Sequence, residues 1–87
     1  MIINVKYMGL LALKTDMQEE QIDFDGGTLR SFVELLYEKY GDEFKKTLVE
    51  PDGAFRMLVM INSQTANYET ALSHGDTVSF LVISHGG

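Results

Sequence analysis

The segment Leu72-Ser73-His74-Gly75-Asp76-Thr77-Val78-Ser79-Phe80-Leu81-Val82-Ile83, continued by Ser84-His85-Gly86-Gly87, joins a tight turn, an apolar strand and a diglycine. Ser73 to Asp76 has turn chemistry, since Asp bonds nearby backbone and glycine accepts conformations closed to other residues. Thr77 to Ile83 follows as a strand, apolar from Val78 onward except for Ser79. Such a run is covered on both faces, which in a small sheet means a central position. Ser84 to Gly87 then form a flexible tail, reaching roughly 13 Å when extended at about 3.3 Å per residue. Glycines without a Cβ can thread a channel too narrow for side chains and present the final carboxylate uncovered.

Outward from this segment, Ile3, Val5 and Tyr7 alternate with Asn4, Lys6 and Met8, the period of a half-buried first strand. Gly9 to Asp16, with Leu10, Leu11 and Leu13, reads as a connection, and Gln18 to Phe24 alternates again through Glu20, Ile22 and Phe24. These two strands form a hairpin, closed off by the turn Asp25-Gly26-Gly27. Thr28 stands where an N-cap belongs, and Leu29, Phe32, Val33, Leu36 and Tyr40 recur at helical spacing up to Gly41, a helix stop. Asp42 to Glu50 carries a short extra turn with Phe44 and Leu48 pointing inward, and Pro51-Asp52-Gly53 is a turn. Arg56 to Asn62 reads as a buried strand, and Asn62 to Tyr68 as a polar turn plus a short edge strand. The order predicts an α+β fold: a mixed sheet of four to five strands, one main helix across one face, and the last strand beside the first.

At 87 residues, 45 % of them apolar, with one proline, the chain is expected to be a single domain over 1–87, its tail at 84–87. It has no cysteine, so no disulfide or thiolate site is available, and packing must supply the stability. The first residues lack a secretion signal and no apolar run reaches the roughly 20 residues of a membrane span, so a soluble, cytoplasmic protein is expected. A net charge of −6 repels phosphate backbones, arguing against nucleic acid, and steers the domain toward a basic partner surface or keeps it soluble. His74 and His85, the only histidines, do not make a metal set. Glu19-Glu20 and Asp23 with Asp25 read as a solvated strand face, and Gly26-Gly27 lacks the spacing and lysine of a phosphate loop. No nucleophile stands with a base, so the chain is not expected to be an enzyme.

The combination resembles the ubiquitin-like β-grasp sulfur carriers, which include the molybdopterin synthase small subunit and the thiamine-pathway carrier. The resemblance covers nearly the whole chain. It rests on the strand at the first residues, the helix opening at Thr28-Leu29, the strand end Ile61-Asn62, and Leu72 to Phe80 followed by Gly86-Gly87. It implies a β-grasp fold and a role as a protein substrate. A ubiquitin-activating-type adenylyltransferase would use ATP to adenylate Gly87, sulfur would replace the adenylate as a thiocarboxylate, and Gly86 would let the tail enter the partner's site. No bound cofactor and no metal are implied, and a synthase large subunit is a further possible partner. If Val78 and Phe80 point to the core, Ser79, Leu81 and Ile83 face outward with Met8, at positions that face partners in the family, and His85 belongs to what the activating enzyme reads. The chain departs from many members in having no proline before the diglycine, and in having Gly9-Leu10-Leu11-Ala12-Leu13-Lys14 where synthase subunits often carry an arginine. A ubiquitin-like protein modifier and a binding module without carboxyl chemistry remain as alternatives.

Overall fold

The computed structural model describes residues 1–82; the expectations for Ile83, Ser84, His85, Gly86 and Gly87 lie outside the described residues. The elements run β1 (Ile2–Lys6), α1 (Leu10–Thr15), β2 (Glu19–Asp23), α2 (Leu29–Tyr40), α3 (Asp42–Leu48), β3 (Leu58–Ile61), β4 (Gln64–Thr65) and β5 (Thr77–Leu81). They build one mixed five-stranded sheet in the order β2-β1-β5-β3-β4. As its apolar run requires, β5 is central, parallel to β1 and antiparallel to β3.

Strand alternation decides which side chains meet the helices. Ile3 and Val5 of β1, Ile22 of β2, Val59 and Ile61 of β3, and Val78 and Phe80 of β5 are all buried on one face. Against them α2 places Leu29, Phe32, Val33 and Leu36, which share one side of a 3.6-residue helix. Thr28 caps α2 by accepting from the Ser31 N–H, and Gly41 ends it. Phe32, Phe44 and Phe80 are fully buried, and truncating any of them to alanine should destabilise the fold by about 3–5 kcal/mol.

The structure corrects the sequence expectations at four places. Gly9 to Asp16 is not a plain connection, because Leu10–Thr15 form α1, in which Leu11 and Thr15, four apart, pack inward. A left-handed Asp16 ends that helix. The extra turn after Gly41 is a seven-residue helix, α3, whose Phe44 and Leu48 are both at 0 % exposure. The strand expected over Arg56 to Asn62 narrows to Leu58–Ile61 and is buried on alternate residues only, with Leu58 and Met60 half-covered on the outer face. Arg56 instead donates to the Lys46 and Val49 carbonyls, closing the loop behind α3. The last strand stops at Leu81, so Val82 already stands outside the ladder.

Candidate functional site

β5 is fixed at its start by a network of side-chain and backbone hydrogen bonds. At its start, Asp76 Oδ2 accepts from the Ser73 N–H at 2.8 Å and its Oδ1 accepts from Asn62 Nδ2 at 3.0 Å. Asn62 Oδ1 in turn accepts from the Thr77 N–H at 3.0 Å. The Gly75 N–H donates to the Ile2 carbonyl, and His74 Nδ1 accepts from the Ile2 N–H at 2.9 Å. The Ile61-Asn62 and Gly75-Asp76 pieces of the sequence pattern thus meet in space and pin β5 to β3 and β1. Their role is to hold the strand, and Gly75, at φ 87°, permits the turn.

The chain leaves the sheet at the other end. There the Val82 N–H points at Met8 Sδ, 3.4 Å away, and Val82 is exposed. Six large apolar side chains are exposed among the described residues, and five of them gather in this part of the chain: Met8, Leu10, Leu13 and Met17 between β1 and β2, and Val82 after β5. Leu10 and Leu13, three apart on α1, share one side of that helix at 61 % and 75 % exposure. Exposed apolar side chains grouped in this way make this end of the fold a candidate interaction surface.

The sequence-predicted partner residues fall around this end. Met8 is exposed beside Val82. Ser79 and Leu81 do lie on the outer face, in register with Met60 and Leu58, but Ser79 is almost covered and Leu81 is half-buried. Ile83, His85, Gly86 and Gly87 lie outside the described residues. Leu10 and Leu13 are not among the sequence-predicted partner residues, although three leucines within four positions are unusually apolar for a plain connection.

Beneath the patch, Tyr7 at the end of β1 stacks on Phe80 of β5, their planes 6° apart. Its hydroxyl donates to Glu20 Oε2 at 2.6 Å, the Tyr40 hydroxyl donates to the same oxygen, and Lys39 Nζ lies 2.7 Å from Oε1. Glu20, read from sequence as part of a solvated face, has a side chain only 7 % exposed. Burial alone would raise its pKa, but the hydrogen bonds from Lys39, Tyr40 and Tyr7 outweigh that and hold the carboxyl below the ordinary carboxylate range. Burial, then the bond to Glu20, push the Tyr7 phenol far above its usual value. The cluster is therefore a neutral tyrosine pair holding a carboxylate, which ties β1 and β2 to α2 and leaves no base free for chemistry. Elsewhere an open hollow of about 530 Å³ lies between α2 and the turn after α3, lined by both signs of charge, including Arg30, Lys45, Glu50 and Asp52. No three His, Asp or Glu residues converge on a metal-sized site among the described residues, and no helix among them is long and apolar enough to cross a membrane.

Comparison with known proteins gives a consistent likeness. The model described as the ThiS family matches residues 5–87. Urm1 from Trypanosoma brucei is 32 % identical, with TM-score 0.76, covering 99 % of this chain and 95 % of that one. Small archaeal modifier protein 1 of Haloferax volcanii is 18 % identical with TM-score 0.80, covering 93 % and 95 %. A protein–protein complex of subunits 1 and 2 of the molybdopterin-converting factor from Helicobacter pylori contains a chain 22 % identical, TM-score 0.66, with both chains covered in full. No curated protein matches the chain.

Proposed function

The chain belongs to the ThiS family of ubiquitin-fold sulfur carriers, and from that membership we propose that its Gly87 carboxylate is activated and loaded with sulfur by another enzyme. The carboxylate is a poor electrophile at neutral pH. A ubiquitin-activating-type adenylyltransferase joins it to the α-phosphate of ATP with release of pyrophosphate. The terminal sulfur of a donor persulfide then displaces AMP to give an acyl disulfide, and a second thiolate attacks the donor's sulfur, forming a disulfide with the donor and releasing the thiocarboxylate on Gly87. Gly86, lacking a side chain, lets the end pass into the adenylating site. The domain is a substrate and acts in the cytoplasm, and ATP is bound by the partner alone.

The observation that carries this reading is the coincidence of two features at one end of the fold: the exit of β5 at Val82 and the exposed apolar patch of Met8, Leu10, Leu13 and Met17. A partner that covers this patch is already beside the point where residues 83–87 begin. We assign the patch to the adenylyltransferase, with Leu81 at its margin, and the same partner reads Ile83 and His85 in the sequence that follows. Delivery of sulfur to a synthase large subunit, in molybdenum cofactor synthesis, is the downstream role supported by the likeness to the molybdopterin-converting factor complex. A second reading is favoured by the likeness to an archaeal modifier protein: attack on the same adenylate by a lysine amine would join the chain to other proteins.

ATP–pyrophosphate exchange with the adenylyltransferase of the same organism tests the shared step. Exchange should depend on the carrier and disappear when Gly87 is deleted, while the thermal midpoint stays unchanged. Carrier-independent exchange, or full exchange with the shortened chain, contradicts the assignment.

A further inference from the structure

β2 is one edge of the sheet, paired on a single side with β1. The bonds at either end of this pairing set its phase. The Phe24 N–H donates to the Met1 carbonyl and the Met1 amine to the Phe24 carbonyl, while the Tyr7 N–H donates to the Gln18 carbonyl. In an antiparallel ladder alternate residues bond across, so Gln18, Glu20, Ile22 and Phe24 turn their backbone groups toward β1. Glu19, Gln21 and Asp23 therefore turn their N–H and C=O groups away from the sheet, and nothing among the described residues bonds to them. An edge of this kind is a template for another strand. The opposite edge, β4, has only two residues.

The side chains decide what kind of strand fits. Glu19, Gln21 and Asp23 are exposed and share the outer face of the sheet. On the other face a hollow of about 350 Å³ lies between this edge and α2, lined by Asp23, Phe24, Ser31, Glu34, Leu35 and Glu38. Among the described residues Glu19, Asp25, Glu34 and Glu38 form no salt bridge, and Asp23 has only the Met1 amine, 3.7 Å away. Lys39 is held by Glu20, and Lys6 stands opposite Glu19 on β1 without a salt bridge to it. Both sides of the edge are thus acidic. A second copy of this chain, paired antiparallel about Gln21, would set Glu19 against Asp23 twice, and like charges directly opposite destabilise a strand pair. We propose that the β2 edge takes up an extended, basic segment of a partner protein as a sixth strand of the sheet. Main-chain bonds to Glu19, Gln21 and Asp23 supply the attachment, and alternate side chains supply the selection. Antiparallel pairing, the more stable kind per residue, places cationic side chains opposite Glu19 and Asp23 and a polar one opposite Gln21. Apolar side chains then fall opposite Glu20 and Ile22, on the side of the half-buried Leu35. The site uses nothing of the Gly87 chemistry, so the proposal stands independently of the carrier assignment.

The probe is a blocked synthetic pentapeptide of lysine, valine, threonine, valine and lysine, titrated into the full chain and followed by amide NMR. Binding should protect the Glu19, Gln21 and Asp23 amides from hydrogen exchange, whereas those of Glu20 and Ile22 are already protected in the free chain. Exchanging both lysines of the peptide for glutamate should weaken binding at least about tenfold. Methylating the lysine and threonine amide nitrogens, which face β2, should also weaken it at least about tenfold. Methylating the two valine amides, which face away, should leave it within about threefold. Gln21→Pro removes one outward N–H without touching a bond to β1 and should weaken binding about fivefold; should this variant fail to fold, the methylated peptides decide the matter on the unaltered chain. No binding of the basic peptide by about 5 mM overturns the proposal. Equal losses from the two methylation patterns, or binding without protection of Glu19, Gln21 and Asp23, also overturn it, because the contact would then be charge attraction alone. Binding of the glutamate peptide as tight as that of the lysine peptide overturns the choice of a basic partner. Protection of the same amides that rises with protein concentration in the absence of peptide would show pairing between copies of this chain and overturn it too.

Discussion

Replacing Leu10 and Leu13 together by alanine should weaken activation and leave the fold intact. Full burial of a leucine side chain contributes about 2 kcal/mol, and 61 % of Leu10 and 75 % of Leu13 remain to be covered by a partner. Allowing for incomplete burial in the complex, the pair contributes about 2 kcal/mol to docking, or roughly a 30-fold change in affinity. In pyrophosphate exchange this loss falls on KM, since nothing at the reacting carboxylate is altered. The thermal midpoint should move by no more than about 2 °C, because both side chains already face solvent and alanine is a good helix former. Glu38→Ala, an exposed change on α2, serves as the control and should leave KM unchanged. A KM within about threefold of the parent refutes the assignment of the patch to the activating enzyme. A midpoint lowered by many degrees would show that α1 depends on these leucines for folding, contrary to their exposure.

Two further outcomes concern the frame around the site. Glu20→Gln should lower stability by about 2 kcal/mol at pH 7, chiefly through the two tyrosine bonds, because Lys39 is 45 % exposed and its ion pair is screened. The folded-state pKa of Glu20 lies below its ordinary value of 4.5, so its stabilisation is fully present above that pH and is lost as pH falls through the folded value. Urea titrations should therefore show the two proteins converging in acid, and a difference that is constant with pH would contradict the role of the charge. Asp76→Ala removes the acceptors of the Ser73 N–H and Asn62. It should lower stability by about 1–2 kcal/mol, a fall of roughly 4–16 °C in the melting temperature, and an unchanged midpoint in calorimetry would refute the pinning of β5.

The elements visible in the sequence are those with an unbroken period. Ile3-Val5-Tyr7 and Val78-Phe80 alternate cleanly because each strand packs one face on α2. Leu29, Phe32, Val33 and Leu36 show a helical stripe, because α2 runs for 12 residues with a cap at each end. α1 has six residues, too few for a period to emerge, and depends on tertiary packing of Leu11 and Thr15. The same shortness concealed the exposed pair Leu10 and Leu13. Glu20 misled for another reason: a carboxylate turns inward only where hydroxyl donors await it, and Tyr7 and Tyr40 are brought there by elements remote in sequence. The Gly75-Asp76 turn was legible as local chemistry, while its partner Asn62 follows only from the pairing of β3 with β5.

The central claim is that the Gly87 carboxylate becomes a thiocarboxylate. Top-down mass spectrometry of the chain isolated from its native cell, under non-hydrolysing conditions, tests it most directly. The expected result is a species heavier by the difference between one sulfur and one oxygen, with the added mass confined to the fragment containing Gly87, and reversion to the parent mass on hydrolysis. A chain that carries only oxygen at Gly87, in cells where its adenylyltransferase is active and sulfur is supplied, would contradict the account.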